Sequence, residues 1–297
     1  MEITVALVQF ESAADPEGNR AKLIHAIDRA KQAGADLVTF HEIASTPYFC
    51  YEHRNEDRFS LAEPVPGPTT DAVAEAARAS GIHVVLPMYE AEGGRRFNTA
   101  VFIDPDSGVQ GKYQKTHVPI SGDHDGEPGA EESFYFSPGE TGFQVWESSL
   151  GLRIGVLICF DRHFPEGARA YALQDVDLIV VPTASYRQFI LDNIWEAELV
   201  TMAFQNNCHV AGINKIGEVI GVPQERRYPG RSVVVSPEGR VLARAGDQEE
   251  ILLAPVVPNG PSPANDALKF MSYRRPSFYH ALTLDADADA PGWLVGG

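Results

Sequence analysis

The stretch LRIGVLICFDRHFPEGARAYALQDVDLIVVPTA (152–184) decides the fold. Its opening, 152–160, is a nearly unbroken apolar run of strand length. Pro165 suits the first turn of a helix over 165–174, and DLIVVPTA (177–184) is a second apolar run. Strand, helix and strand in so short a span predict a parallel βαβ unit. Runs such as LICF and LIVVP are apolar at successive residues, the pattern of a sheet covered on both faces.

The same plan extends outwards on both sides. ITVALVQF (3–10) reads as a strand, 17–33 as a helix with Leu23, Ile24, Ile27 and Ala30 at helical spacing, and Gly34 as its stop. DLVTFHE (36–42) is the next strand. Thr69-Thr70-Asp71 predicts the cap of an Ala-rich helix ending near Gly81. Strands follow over 83–90, 98–104 and 108–116, with DPDSG (104–108) as a turn. In the second half, 142–148, 209–217, 232–237, 241–246 and 251–257 read as strands, and 190–207 as one long helix. Two halves, each of strand–helix–strand units leading into hairpins, predict an α/β fold: a four-layer αββα sandwich of two mixed β-sheets with helices outside. Residues 1–258 form one domain on this reading, and 259–297 a C-terminal arm and tail.

Composition excludes several functions. The chain carries 41 Asp+Glu against 24 Lys+Arg, a formal net charge of −17. No basic run exceeds two residues, so a nucleic-acid partner is not expected. No P-loop or dinucleotide fingerprint occurs. No apolar stretch approaches the ~18 residues of a membrane span, and MEITVALVQF lacks the pattern of a signal peptide. Three cysteines suit a reducing compartment, and a cytoplasmic, soluble protein is expected.

Of those cysteines, Cys50 and Cys208 read as small buried hydrophobes. Cys159 differs. It ends the strand that opens the deciding stretch, where ligands bind in α/β sheets, and the amides of the following helix favour its thiolate. A nucleophilic thiol needs a base and an oxyanion donor. His163, His117 and His41 are candidates for the base, although His163 points along its helix away from sulfur. Two charges stand out instead: Glu42, ending DLVTFHE, and Lys115, in GKYQKTHVP. With Cys159 they form a set at comparable ends of three strands. His41-Glu42 does not complete H-E-x-x-H, because residue 45 is Ser. His117 and His124 are the remaining metal candidates, and no metal site is expected.

Glu42 in TFHEIASTPYF, Lys115 in GKYQKTHVP and Cys159 in IGVLICFDRHFPE resemble the Glu-Lys-Cys triad of the nitrilase superfamily of carbon–nitrogen hydrolases. The likeness extends through VALVQF, FNTAVFID, FYFSPGETGF, DLIVVPTA and RRPSFY. It is nearest to the amidohydrolases of N-carbamoyl compounds. The resemblance implies Cys159 as nucleophile, Glu42 as general base and Lys115 as oxyanion donor. It implies a second glutamate, Glu132 in EESFYFSPG, beside them, chosen from an acidic loop that also holds Asp123, Asp125, Glu127 and Glu131. It requires no cofactor and implies a small-molecule substrate.

Two positions depart from the family pattern: His41 replaces a frequent Pro, and Phe160 a more usual Trp, Tyr or Asn. Phe160, Tyr48 and Arg162 are the candidate substrate-binding residues. Arg162 suits a substrate carboxylate or an ion pair with Glu166 at (i, i+4). The Lys115 and C-terminal segments lean instead towards enzymes of a cationic carbamoyl amine. A nitrile or aliphatic amide is the alternative substrate, and a catalytically inactive binding member of the fold the more distant one. Phe270, Met271, Tyr273, Phe278 and Tyr279 in the arm imply burial against a neighbour, hence a homo-oligomer.

Overall fold

In a computed structural model, residues 2–120, 129–222, 226–258 and 268–284 are described. His124, the acids Asp123, Asp125 and Glu127, and the tail beyond 284 lie outside them. The chain divides into two compact units, Met1–Gly260 and Pro261–Gly297.

In the first unit the elements run β1 (Ile3–Gln9), α1 (Pro16–Gln32), β2 (Leu37–Phe40), α2 (Pro68–Ser80), β3 (His83–Glu92), β4 (Arg95–Asp104) and β5 (Gly108–Gln114). Next come α3 (Glu132–Tyr135), β6 (Trp146–Glu147), β7 (Arg153–Val156), α4 (Pro165–Ala172), β8 (Leu178–Thr183), α5 (Gln188–Asn193) and α6 (Trp195–Asn206). The unit closes with β9 (His209–Asn214), β10 (Ile216–Glu218), β11 (Arg227–Pro229), β12 (Val233–Val235), β13 (Val241–Arg244) and β14 (Glu250–Val256).

Two six-stranded sheets follow one design. Their orders are β14-β1-β2-β3-β4-β5 and β13-β12-β9-β8-β7-β6. In each, two parallel pairs lie at the centre (β1/β2 and β2/β3; β7/β8 and β8/β9) and antiparallel pairs flank them. β10 and β11 make a separate two-stranded ribbon.

Period-two alternation builds the layers. Ile3, Val5 and Leu7 of β1 meet Leu178 and Val180 of β8 in one core between the sheets. The intervening Ala6 and Val8 pack on Leu23, Ile27 and Ala30 of α1 and Val73 and Ala77 of α2. Ile179 and Val181 of β8 pack likewise on Tyr171 of α4 and Trp195, Leu199 and Ala203 of α6. The order is helices, sheet, sheet, helices, as the uninterrupted apolar runs predict. A fourth cluster, rich in tyrosine, gathers Tyr48, Tyr51, Tyr89, Tyr135, Tyr186 and Tyr228 with Phe49 and Phe136.

Several boundaries differ from the sequence reading. Strand 142–148 shrinks to Trp146–Glu147. The expected helix 190–207 breaks at Ile194 into α5 and α6. Trp195 is anchored there, its Nε1 donating to the Arg231 carbonyl at 2.9 Å. Segment 209–217 is two strands of different sheets, β9 and β10. The α2 helix starts at Pro68 with Gly67 as its N-cap: the Gly67 N–H donates to the Thr70 hydroxyl at 2.7 Å, so Thr70 of the expected cap serves, and the Glu63 carboxylate adds to it by accepting from the Thr69 N–H at 2.7 Å and the Thr69 hydroxyl at 2.9 Å. In the second unit, Phe270–Tyr273, Pro276–Phe278 and His280–Thr283 are short 3-10 turns.

Candidate active site

Glu42, Lys115 and Cys159 each sit just past the end of a strand. Glu42 lies two residues beyond β2, where Ile43 has φ +50° and turns the chain. Lys115 directly follows β5, and its N–H donates to the Asn98 carbonyl at 2.8 Å. Gly139 lies against this strand end: a Cβ there would stand 2.2 Å from the Gln114 carbonyl oxygen, and its N–H donates to the Lys115 carbonyl at 2.8 Å. Glu132 opens the single turn of α3. Cys159 follows β7 by three residues and starts a 3-10 turn, Cys159–His163, with φ +49°. That strained conformation at a strand-to-helix junction has the layout of a nucleophile elbow.

Glu42, Lys115 and Glu132 converge in a buried chain of hydrogen bonds, with Cys159 near enough for their charges to act on its thiol. Glu42 is fully buried. Its Oε1 accepts from Lys115 Nζ at 3.0 Å and from Asn98 Nδ2 at 2.7 Å, and its Oε2 from the Ala184 N–H at 3.0 Å. Lys115 Nζ also donates to Glu132 Oε2 at 2.5 Å, and the Tyr48 hydroxyl donates to Glu132 Oε1 at 3.1 Å. The buried acids are therefore satisfied by named donors, the condition for keeping charge out of water.

Electrostatics assign the protons. Burial would lower the Lys115 ammonium, but the carboxylates of Glu132 and Glu42 outweigh it and hold the group well above its ordinary value. Burial raises the Glu132 carboxyl, against the opposing pull of Lys115. Burial first, and the Glu42 charge second, push the Cys159 thiol up to about 12. The protonated thiol is therefore the resting form at neutral pH. The expectation that helix amides favour the thiolate is thus reversed: the turn is short, and burial beside a carboxylate dominates. A thiol beside a carboxylate and a fixed ammonium can react when its proton moves to the carboxylate.

The other candidates are placed differently. His117 is held by Asp161, whose Oδ1 lies 2.8 Å from both its N–H and its Nδ1, and it stacks on Phe164 at 3.7 Å. His163 Nδ1 lies 2.5 Å from Glu198 Oε1. His41 is buried and held well below its ordinary pKa by burial and by the Lys215 charge, and its Nδ1 lies 3.0 Å from the Glu42 carbonyl. Arg162 pairs with Glu198 (Nε to Oε2, 3.0 Å) rather than with Glu166, and a second arm donates to the Cys159 carbonyl at 2.8 Å. The guanidinium offered for a substrate carboxylate is therefore already engaged. It borders a cavity of about 290 Å³, also lined by His163, Pro165 and Glu198, that includes none of Glu42, Lys115 and Cys159. The Phe160 ring packs on His163 and Phe164. Tyr48 is bound to Glu132 and buried. Glu131 contacts the half-exposed or exposed His53 and Arg54, which leaves Glu132 as the acid on Lys115.

Three partners escaped the sequence reading. Asn98 holds Glu42; an amide inside the apolar strand FNTAVFID is its signal, since buried polar groups need a use. Ala184 holds Glu42 through a backbone N–H that no side chain reveals. Asp161 is fully buried and accepts from the Ile158 N–H at 3.0 Å and the Tyr113 hydroxyl at 2.8 Å, fixing the backbone just before Cys159.

The chain was compared with known proteins. It is 34% identical over 261 residues to N-carbamoylputrescine amidase of Solanum lycopersicum, covering 84% of each. The crystal structure of a carbon–nitrogen hydrolase from Helicobacter pylori G27 superposes with a TM-score of 0.88 at 25% identity, over 96% of this chain and 99% of that one. A glutamine-for-glutamate variant of the amidase from Nesterenkonia sp. AN1 superposes with a TM-score of 0.75 at 27% identity, over 95% of this chain and 97% of that one. In that structure the acetamide moiety of fluoroacetamide is covalently added at the active-site cysteine. The carbon-nitrogen hydrolase model matches residues 4–260, nearly the whole sandwich and every group just described, and the chain belongs to that family.

Proposed function

We propose that this hydrolase cleaves the C–N bond of an N-carbamoyl compound through a Cys159 acyl-enzyme. The observation that carries the reading is the buried Glu42–Lys115–Glu132 chain acting on the Cys159 thiol. Glu42 takes the Sγ proton as sulfur attacks the carbamoyl carbon. The Lys115 ammonium and the Phe160 N–H hold the oxyanion; one such donor is worth roughly 2.7–4 kcal/mol. Glu42 returns the proton to the departing ammonia, then takes one from water as the thioester hydrolyses. The carbamate released decays to an amine and carbon dioxide, and the thiol is restored. Tyr48 orients Glu132, which steadies Lys115, and Arg162 holds the backbone of the nucleophile.

Likeness to N-carbamoylputrescine amidase supports the carbamoyl class. The amide adduct on the Nesterenkonia cysteine supports a thiol mechanism, and gives a simple amide as the second reading. Ammonia release should be measured on N-carbamoyl-β-alanine, N-carbamoyl-D- and L-amino acids, N-carbamoylputrescine, aliphatic amides and nitriles. Turnover of the carbamoyl compounds is expected, and turnover of nitriles alone would overturn the reading.

A reducing, cytoplasmic setting accords with three free cysteines; no helix among the described residues is long and apolar enough to cross a membrane. We further propose a homo-oligomer covering the arm, where Tyr273 is 76% and Phe278 65% exposed. Light scattering should give a multiple of the chain mass, and a monomer would contradict this.

A further inference from the structure

Resting on the amidohydrolase reading, we propose that Arg187 binds a carboxylate of the substrate, so that the compound cleaved bears an acid group a few bonds from the scissile carbon.

The position follows from the backbone. Ala184, whose N–H holds Glu42 Oε2 at 3.0 Å, stands only three residues before Arg187. Three residues span at most roughly 10 Å, within reach of an arginine side chain. The loop between β8 and α5 leaves the carboxyl end of a parallel strand, where α/β sheets bind ligands. It is rigidly held. The Ser185 N–H donates to Asn214 Oδ1 at 2.9 Å and the Ser185 carbonyl accepts from Asn214 Nδ2 at 3.0 Å. Next, the buried Tyr186 ring lies edge-on to Tyr51 at 5.0 Å and to Tyr228 at 6.2 Å. Arg187 then serves as the N-cap residue of α5.

Charge supplies the second argument. Of the other arginines of this unit that are not exposed, Arg20, Arg58, Arg153, Arg162 and Arg231 pair with Glu63, Glu52, Asp175, Glu198 and Asp192, and Arg96 lies over the Phe59 ring at 3.6 Å. Arg187 is half-buried and its carbonyl accepts from the Leu191 N–H at 3.1 Å, yet its side chain makes no ion pair or hydrogen bond among the described residues. A partly desolvated guanidinium without an acid is costly and is the natural complement of a carboxylate. Tyr51 connects it to the chemistry. Burial raises that phenol first, and the Arg187 charge lies near enough to oppose the rise. The Tyr51 ring also packs on Tyr48 at 5.9 Å, whose hydroxyl donates to Glu132.

Matched pairs test the assignment: N-carbamoyl-β-alanine against propylurea, and succinamic acid against butyramide. In each pair the acid should be the better substrate. Arg187→Ala should lower the acid-to-neutral ratio of kcat/KM by roughly 10–100-fold, mostly through KM, and Arg187→Lys should restore part of it. Preference for N-carbamoylputrescine over N-carbamoyl-β-alanine, or an equal loss on both members of a pair, would overturn the proposal. Turnover of the amide pair alone would sink the carbamoyl reading while still testing Arg187. Melting-temperature shifts of Cys159→Ala with each pair give a binding readout independent of turnover: a larger shift with the acid, lost on adding Arg187→Ala, supports the assignment, and equal shifts refute it.

Discussion

Replacing Cys159 by alanine is expected to lower ammonia release by roughly 10^4-fold or more, with little change in stability. Removing the nucleophile leaves Glu42 and Lys115 in place, but no acyl-enzyme forms and water must attack unaided. The fold should tolerate the change. Cys159 is half-buried, and alanine meets the same left-handed backbone at φ +49° without needing glycine's freedom more than cysteine does. The sulfur's nearest named polar neighbour is one arm of Arg162, 3.8 Å away, and that arm keeps its bond to the residue-159 carbonyl. The stability cost is therefore expected at about 1 kcal/mol, read as a shift of about 2–4 °C in Tm. Two measurements check this: initial-rate ammonia release, and thermal unfolding of the same preparation. Undiminished release would show that the thiol is not the nucleophile; a collapsed Tm would show that the loss of activity reports folding.

How far the sequence led depends on the range of the interaction. The layers were legible because apolar runs are local: runs such as LICF and LIVVP, apolar at successive residues, declare strands covered on both faces. The positions of Glu42, Lys115 and Cys159 were legible because each closely follows a strand, Glu42 and Lys115 in one sheet and Cys159 in the other. The partners were not. Arg162 finds Glu198, 36 residues away on α6, in place of the helical neighbour Glu166. Glu42 finds the Ala184 N–H 142 residues away. No periodicity encodes such pairs; they arise only when elements distant in sequence pack together. The protonation state of Cys159 was misjudged for a related reason. Helix amides are visible in the order of elements, whereas burial and the Glu42 charge appear only in three dimensions.

The second large effect is expected from Lys115→Met. The ammonium is the only cation hydrogen-bonded to Glu42 and Glu132 among the described residues. Methionine fills similar volume but leaves both acids buried without it. Removing one partner of a buried ion pair costs roughly 3–5 kcal/mol, which for a chain of this size lowers Tm by roughly 6–20 °C. The pH dependence has a definite sign. Burial already lifts the Glu132 carboxyl above its ordinary value of 4.5, and Lys115 opposes that rise. Without Lys115 the lift grows, so the folded state holds its proton where the unfolded state has lost it. Stability then falls as pH rises above about 4.5, because the folded form binds more protons. The Tm deficit of Lys115→Met should be larger at pH 8 than at pH 5. Adding Glu132→Gln should recover part of the stability, since an amide has no charge to bury. It should not recover turnover, because the oxyanion donor is still missing, a loss of roughly 10^2–10^3 in kcat. That split separates the two duties of one ammonium: neutralising buried acid in the resting protein, and receiving new negative charge in the reaction. A Tm deficit independent of pH would deny Lys115 the first duty, and turnover restored by Glu132→Gln would deny it the second.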